Sequence, residues 1–416
     1  MSKALKILMI DKYFFIKGGA ERYYFELKDI LEKHGHTVIP FSVKNPQNVR
    51  SPYSPFFVEA IEFNHLSPGQ KIAQSYKIAS RVLFSRHAQK KLENLIEKTK
   101  PDVAHIHMID HQISPSILFT LKKFRIPVIQ TVHQYKLICP NYRLYNMRTG
   151  QICEKCLDGH FYHPILEKCH KDSSLSGLLL FAEATLHRKL HSYERHVDIF
   201  HVPSFFMGEK LRQGGYPPAK IRHLFYTISL DAYPSDRPYE NYIVYYGRLS
   251  EEKGILTLLK AMKLLPNVRL KVVGEGPQQE ELEKFVAAKK ILNVEFVGKK
   301  SGDALKDIVA SSKFVVIPSE WYDNSPLVIY EAFSMARPVV GARIGGIPEL
   351  VEDGVNGFLF KPKDEKELAK KMGILWEKEN LVKKFGQKAL QKAWQEFEPE
   401  KHYEKMMAMY RELLYG

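Results

Sequence analysis

Asp323 and Glu331 are the two acids of the run Asp-Asn-Ser-Pro-Leu-Val-Ile-Tyr-Glu, and the second sits among apolar neighbours, Leu327 to Tyr330 and Ala332. A carboxylate in such company is paired, neutralised or used. Ser325 reads as a helix N-cap and Pro326 as the first helical residue, where its missing N–H costs nothing. The amides of Leu327 and Val328 then become free donors at a helix N-terminus, which is an anion site. Side chains on a helix tilt toward its N-terminus, so Glu331, about one turn further in, leans back to the same end. Phosphate on the amides and a hydroxyl pair on the carboxylate together describe recognition of a nucleoside diphosphate and its ribose. The alternative is a core Glu paired with a Lys or Arg.

Two cations fit the same chemistry. Arg248 directly follows the strand-like run Tyr-Ile-Val-Tyr-Tyr-Gly, and Lys253 comes five residues later. Both could reach a pyrophosphate at a strand edge, or be surface charges in an ordinary loop. Gly18 and Gly19, in Gly-Gly-Ala-Glu-Arg, and Gly345 and Gly346, in Gly-Gly-Ile-Pro-Glu, lie at turns where the backbone can approach a ligand closely. His133 ends the run Pro-Val-Ile-Gln-Thr-Val-His and is either a satisfied structural histidine or a functional one.

The cysteines form a second constellation. All four, Cys139, Cys153, Cys156 and Cys169, fall within one stretch, with a Cys-x-x-Cys pair at 153 and 156. Four thiolates with a tight pair and two outliers suit a tetrahedral structural zinc that would fix the surrounding loop. Reduced free thiols are the alternative, and disulfides the one that a cytoplasmic setting disfavours. His160, His163 and His170 lie nearby as substitute ligands.

These residues must be positioned by something, and the pattern is strand then helix, repeated. The runs 5–10, 37–41, 102–108, 127–133 and 198–204 read as strands, with helices predicted over about 19–34 and 115–124. After a polar, Pro-containing linker at 233–241 a second series begins, with strands in 242–247, 268–274, 294–298, 314–319 and 337–342. Most of these end in Gly, Pro or Ser, which suits a sheet whose carboxyl edge carries a ligand crevice. The expectation is two doubly wound α/β domains. The first spans 1–232, with an inserted cysteine loop at 134–175. The second spans 233–396, and a last helix, 397–416, crosses back onto the first.

The bounds agree. A chain of 416 residues is too long for one ordinary core, and 44% hydrophobic with 26% charged residues describes a soluble globular protein. No apolar run is long enough for a transmembrane helix. The N-terminus reads as strand and lacks a small-residue cleavage site, so cytoplasm is the expected location. The net charge of +15 points to anionic partners. Part of it lies in a helical-looking stretch, 71–100, which is a solvated face or a membrane-surface or anion-binding one. Basic residues are not interleaved with aromatic ones in a stacking pattern, and no standard module appears, so no nucleic-acid partner is expected.

The second series, from Tyr245 through Phe360, resembles the donor domain of retaining glycosyltransferases of family 4. Gly-Gly-Ala-Glu-Arg, Asp-Val-Ala-His-Ile-His-Met and Thr-Val-His-Gln-Tyr-Lys match the family's first domain less specifically. The resemblance implies the GT-B fold: two Rossmann-like domains with an interdomain cleft and a C-terminal crossover helix. It implies transfer of a hexose-type sugar from a nucleotide-diphosphate sugar to a glycan or lipid-linked glycan in surface polysaccharide synthesis. No cofactor is expected for catalysis, and the chain has no Asp-x-Asp of the metal-dependent transferase fold.

Residue by residue, Glu331 matches the second acid of the family's Glu-x7-Glu motif, which binds the donor ribose. The first position falls on Asp323, an acid one methylene shorter, near the transferred sugar. Arg248 and Lys253 would hold the donor phosphates, and His133 would lie at the reacting face of the sugar. Gly18, Gly19, Gly247, Val297, Ser325, Leu327 and Val328 complete the donor side, and His107 and Tyr135 fall on the acceptor side. The family usually has Gly where this chain has Ser325 and Pro326. A peripheral contact with an anionic membrane at its inner face is the accompanying expectation, and an epimerase on the same plan is the alternative activity.

Overall fold

The computed structural model describes residues 4–60 and 78–416, and it divides into two compact units. The first comprises Met1–Arg148, Cys153–Leu224 and His402–Gly416; the second comprises Thr149–Ile152 and Phe225–Lys401. Residues 71–77 of the basic stretch lie outside the described residues.

The first unit is built on six parallel strands: β1 (Lys6–Ile10), β2 (Thr37–Phe41), β3 (Val103–Ile106), β4 (Val128–Thr131), β5 (Ile199–Val202) and β6 (Ile221–His223). Their order is β2-β1-β3-β4-β5-β6. Strands β3, β4 and β5 are buried throughout, as strands covered on both faces are, and they carry His105, Gln130, Thr131 and His201 into that interior. The helices are amphipathic against this sheet. In α1 (Gly19–Lys33) the buried Tyr23, Tyr24, Leu27, Ile30 and Leu31 recur at helical spacing. In α2 (Arg86–Thr99) the Ser85 hydroxyl accepts the Ala88 amide at the start, and Lys100 closes the end in a left-handed conformation. Next come α3 (Ile117–Lys123), α4 (His163–Glu167), α5 (Ser174–Lys189), α6 (Ser192–His196) and α7 (Phe205–Gln213).

The second unit repeats the plan with β7 (Ile243–Tyr246), β8 (Leu270–Val273), β9 (Val294–Gly298), β10 (Val315–Ile317), β11 (Val339–Ala342) and β12 (Gly357–Phe360), ordered β9-β8-β7-β10-β11-β12. Its helices are α8 (Ile255–Lys263), α9 (Gln279–Ala288), α10 (Gly302–Ala310), α11 (Leu327–Ser334), α12 (Ile347–Leu350), α13 (Glu365–Glu377) and α14 (Glu379–Glu396). The last helix, α15 (Pro399–Tyr415), belongs to the first unit from His402 onward. There the His402 ring meets the Tyr23 hydroxyl at 2.9 Å, and the Tyr410 hydroxyl reaches His105 at 2.6 Å.

The sequence pattern omits the sixth strand of each sheet. Strand β6 has three half-buried residues at a sheet edge, and β12 has four and opens on Gly357, so neither is long enough to show a period. The chain leaves the first unit at Leu224, and residues 225–232 lie with the second. There the Tyr226 amide donates to the Tyr330 hydroxyl at 3.3 Å, and the Thr227 hydroxyl donates to the Phe397 carbonyl at 2.7 Å. The stretch 134–175 holds the five-residue α4 and a single 3-10 turn at Tyr135–Leu137, each too short to announce itself by spacing.

Candidate active site

In the second unit the carboxyl edges of β7 and β10 carry most of the residues expected on the donor side. After β7 the chain turns through Gly247 to Arg248, whose carbonyl accepts the Tyr245 hydroxyl at 2.8 Å. The Arg248 side chain is exposed, and among the described residues it forms no ion pair. Lys253 is held differently. Gly254 follows it at φ +68°, and a Cβ there would stand 1.9 Å from the Pro318 carbonyl oxygen, so only glycine lets this turn press on the end of β10. The Lys253 ammonium then lies 2.6 Å from the Asp323 carboxylate and over the Trp321 ring. The Ser319 hydroxyl donates to the same carboxylate oxygen at 3.0 Å.

The backbone of Asp323 is fixed from the other side. Gly345, at φ +59°, brings its α-carbon so near that a Cβ would be 2.3 Å from the Asp323 carbonyl, and the Gly346 amide donates to that carbonyl at 2.8 Å. The shortened acid is thus clamped between a lysine, a serine and a glycine turn.

The start of α11 differs from expectation. Pro326 is its N-cap, extended at ψ 115°, and the helix begins at Leu327. Ser325 caps nothing: its hydroxyl bonds the Tyr330 hydroxyl at 2.6 Å. The reason is the proline, whose extended backbone places the helix entry after it and whose carbonyl accepts the Ile329 amide at 2.9 Å. The amides of Leu327 and Val328 precede that first bond and have no partner among the described residues. Glu331, one turn further along, is buried on the same helix. Val297, on β9, is half-buried.

The first unit gathers histidines in two layers above its sheet. Residues two apart on a strand share a face, so His105 and His107 on one strand meet Thr131 and His133 on the next. In the lower layer His105 Nε2 lies 2.7 Å from the Thr131 hydroxyl, which lies 2.8 Å from His201 Nδ1. His201 Nε2 reaches the Leu224 carbonyl at 2.8 Å. In the upper layer His107 Nδ1 and His133 Nε2 are 2.9 Å apart. Burial, reinforced by His201, lowers the pKa of His133 to about 3, and burial holds His105 and His107 well below the usual imidazole range. All three rings are therefore neutral at pH 7.

Gly18 and Gly19 are exposed at the start of α1, and the Glu21 carboxylate takes the Gly18 amide. Both acceptor-side candidates are buried, His107 at 2% and Tyr135 at 1% relative exposure, so neither presents its side chain at a surface. His107 contacts His133 instead. Sequence reasoning missed Ser319, Thr131, His105 and His201. Thr131 and His201 could have been sought as facing positions on the neighbouring parallel strands β4 and β5, and His105 from the alternation His-x-His at 105–107.

The four cysteines are free thiols within electrostatic reach of one another, three of them buried. Burial and the neighbouring thiols push Cys169 up to about 12 and Cys156 higher still. The amides of Asn141, Arg143 and Leu144 point at Cys139 and pull the other way. The set matches zinc in number and kind, but among the described residues no three Cys, His, Asp or Glu side chains are drawn together as ligands of one ion.

Residues 17–230 match the model of Glycosyltransferase Family 4, and residues 235–392 that of Glycosyl transferases group 1. The sulfoquinovosyl transferase of Arabidopsis thaliana is 34% identical over 311 residues, which is 74% of this chain but 54% of that protein's length. The lipopolysaccharide 1,2-N-acetylglucosaminetransferase of Salmonella typhimurium is 32% identical over 128 residues, 28% of this chain and 34% of its own. Among solved structures, sucrose-phosphate synthase from Thermosynechococcus elongatus superposes with a TM-score of 0.71 at 19% identity, covering 98% of this chain and 99% of that one. Anabaena HepE in complex with UDP gives 0.65 at 18%, covering 98% and 100%. With a parallel α/β sheet in each unit and family models over both, the chain belongs to glycosyltransferase family 4 and has the GT-B fold.

Proposed function

We propose that this protein transfers a hexose-type sugar, with retention at the anomeric carbon, from a nucleoside-diphosphate sugar to a hydroxyl of a glycan or lipid-linked glycan. The observation that carries the reading is the pair of amides at Leu327 and Val328, without a partner among the described residues, one turn before the buried Glu331. Amides at a helix start favour a diphosphate, and a carboxylate one turn along suits the ribose diol. Arg248 and Lys253 stand at the neighbouring strand end to take charge from the phosphates. In the reaction the bond from the anomeric carbon to the phosphate oxygen breaks, and the diphosphate leaves with the electron pair. The acceptor oxygen bonds to the same carbon, and its proton passes to the departing phosphate. Fixed cations are worth most where that negative charge builds up, so this role falls to Arg248 and Lys253 and needs no metal. His133, neutral, offers its ring to the sugar as a hydrogen-bonding group and not as a charge.

The names of relatives support the acceptor class: a lipopolysaccharide sugar transferase lies among them, and the bound UDP of HepE supports the donor class. The epimerase alternative finds no support among those relatives. For the four cysteines we propose a structural zinc outside the chemistry, because a dication would hold as thiolates groups that burial and one another otherwise keep protonated.

A thermal-shift panel of nucleotide sugars tests the donor reading, since a ligand of the folded state raises stability with the logarithm of its concentration over its affinity. One donor should raise the melting temperature, and Glu331→Ala should abolish that rise. No shift with any nucleotide sugar would overturn it. Conversion of the donor without acceptor would favour the epimerase.

A further inference from the structure

The stretch that holds the cysteines also carries an apolar surface that the transfer reaction does not use. Helix α5 packs tightly on α4. At Gly177 a Cβ would stand 2.3 Å from the Pro164 carbonyl oxygen, so only glycine allows the two backbones this close. The contact is tied by the Ser174 hydroxyl on the Ile165 carbonyl at 3.2 Å and by His170 Nδ1 on the Ser176 hydroxyl at 2.6 Å. The pair therefore presents a fixed outer face.

That face is apolar where solvent meets it. Leu175 is 78% exposed, Leu166 67%, Leu178 49% and Tyr162 44%. The inward side of α5 is Gly177, Leu180, Glu183 and His187, all buried. The opposite side follows by helical spacing: Leu175, Leu178, Ala182, Leu186 and, at the far end, Lys189. Sixteen residues make this stripe about 24 Å long.

The charges on and around it are distributed unevenly. The single acid of α5, Glu183, points inward and pairs with Lys136 at 2.7 Å. The outer stripe thus has no carboxylate. Lys168 and Lys171 are exposed in the turn before α5, and Lys189 is exposed at its end. Of the neighbouring acids, Glu167 is engaged by Lys155, and Asp172 lies in the turn beside Lys171. Two copies of this chain meeting here would bring lysines against lysines whether the helices ran parallel or antiparallel. An apolar stripe with cations at both ends and no acid along it has the character of a helix that lies in a membrane interface.

We propose that the outer face of α4 and α5 is a docking surface for an anionic lipid bilayer, with Leu166, Leu175 and Leu178 entering the headgroup boundary and Lys168, Lys171 and Lys189 meeting lipid phosphates. No helix among the described residues is long and apolar enough to cross a membrane, so the contact is one of lying on the surface. This surface uses none of the donor residues, and the assignment holds whichever sugar is transferred.

Flotation of the full chain with phosphatidylcholine vesicles, with and without phosphatidylglycerol, tests the assignment. The wild type should float with the anionic vesicles and not with the neutral ones, and added salt should reduce its binding. Leu175→Ser with Leu178→Ser should lower the partition about tenfold, the effect of withdrawing two leucines from an interface. In Leu175→Trp the added tryptophan should shift its emission to the blue on anionic vesicles, a readout independent of the double variant's folding. Three results would each overturn the proposal: no wild-type binding to anionic vesicles, equal binding by the double serine variant, or no emission shift in Leu175→Trp. A dimer in sedimentation that the serine variant dissolves would give the face to a second copy instead.

Discussion

Thr131→Val removes one hydroxyl from the lower histidine layer of the first unit and should be costly, for a reason that can be worked through atom by atom. The chain of contacts ends on the Leu224 carbonyl, which can only accept. His201 therefore carries its proton on Nε2, and its Nδ1, being neutral, must accept. The Thr131 hydroxyl donates to that nitrogen, so its oxygen is left to accept from His105 Nε2–H. His105 Nδ1 then accepts from the Tyr410 hydroxyl. One carbonyl sets the direction of every proton in the row.

Valine keeps the shape of threonine but leaves a buried N–H on His105 and a buried acceptor on His201, in residues with no solvent exposure. At about 1–3 kcal/mol for each unsatisfied group, the loss should be about 2–6 kcal/mol. Tyr410→Phe leaves one acceptor unpaired and should cost about half as much, while Thr131→Ser should cost least. Urea unfolding followed by circular dichroism is the assay, because Trp321, Trp376 and Trp394 all lie in the second unit and their fluorescence would report on the wrong one. A Thr131→Val variant within ~0.5 kcal/mol of wild type, or less damaging than Tyr410→Phe, would refute the proton assignment.

The same layer sets a pH dependence. Burial lowers the His201 pKa to about 4, against the ordinary 6.5. The unfolded chain thus binds its proton first as pH falls, so stability is full above about pH 6.5 and declines down to about pH 4. The difference corresponds to about 3 kcal/mol from this group, read as a fall in urea midpoint.

Other perturbations follow from the second unit and the thiols. Glu331→Ala should leave the fold intact and weaken nucleotide-sugar binding by at least ~tenfold in calorimetry, the worth of a charged hydrogen-bonding group. Unchanged donor affinity would remove the ribose assignment. Lys253→Met should lower kcat by about 10²–10³ if its charge stabilises the leaving diphosphate, and a change confined to KM would assign it to binding alone. Gly345→Ala forces a side chain into the left-handed region and against the Asp323 carbonyl; it should lower stability by ~1–2 kcal/mol or more and weaken the donor-induced thermal shift. Metal analysis of purified protein should find about one zinc per chain, and none would leave the cysteines as free thiols.

Much of this protein is legible along its chain because the signals are local. Short apolar runs separated by amphipathic helices specify two parallel sheets, and Pro326 with the apolar run after it marks a helix start whose amides are left over. Glu331 is conspicuous for its neighbours alone. Where the reading differs from the structure, the deciding interaction is a side-chain contact that spacing does not announce. Ser325 looks like a cap until the Tyr330 hydroxyl is brought within 2.6 Å of it. His107, expected on the acceptor side, is itself buried, with His133 held 2.9 Å from it after the neighbouring strand.

Composition, periodicity and motif order were enough to determine the α/β class and the repeated strand–helix plan, since each depends on neighbours a few positions apart. Only tertiary packing could decide which groups share a proton and which share a charge. Asp323 and Lys253 are 70 residues apart in sequence and 2.6 Å apart in space, and His105 and Tyr410 are separated by 305 residues. Hydrogen bonds and ion pairs act over a few ångströms. The fold, by closing the chain on itself, chooses their partners.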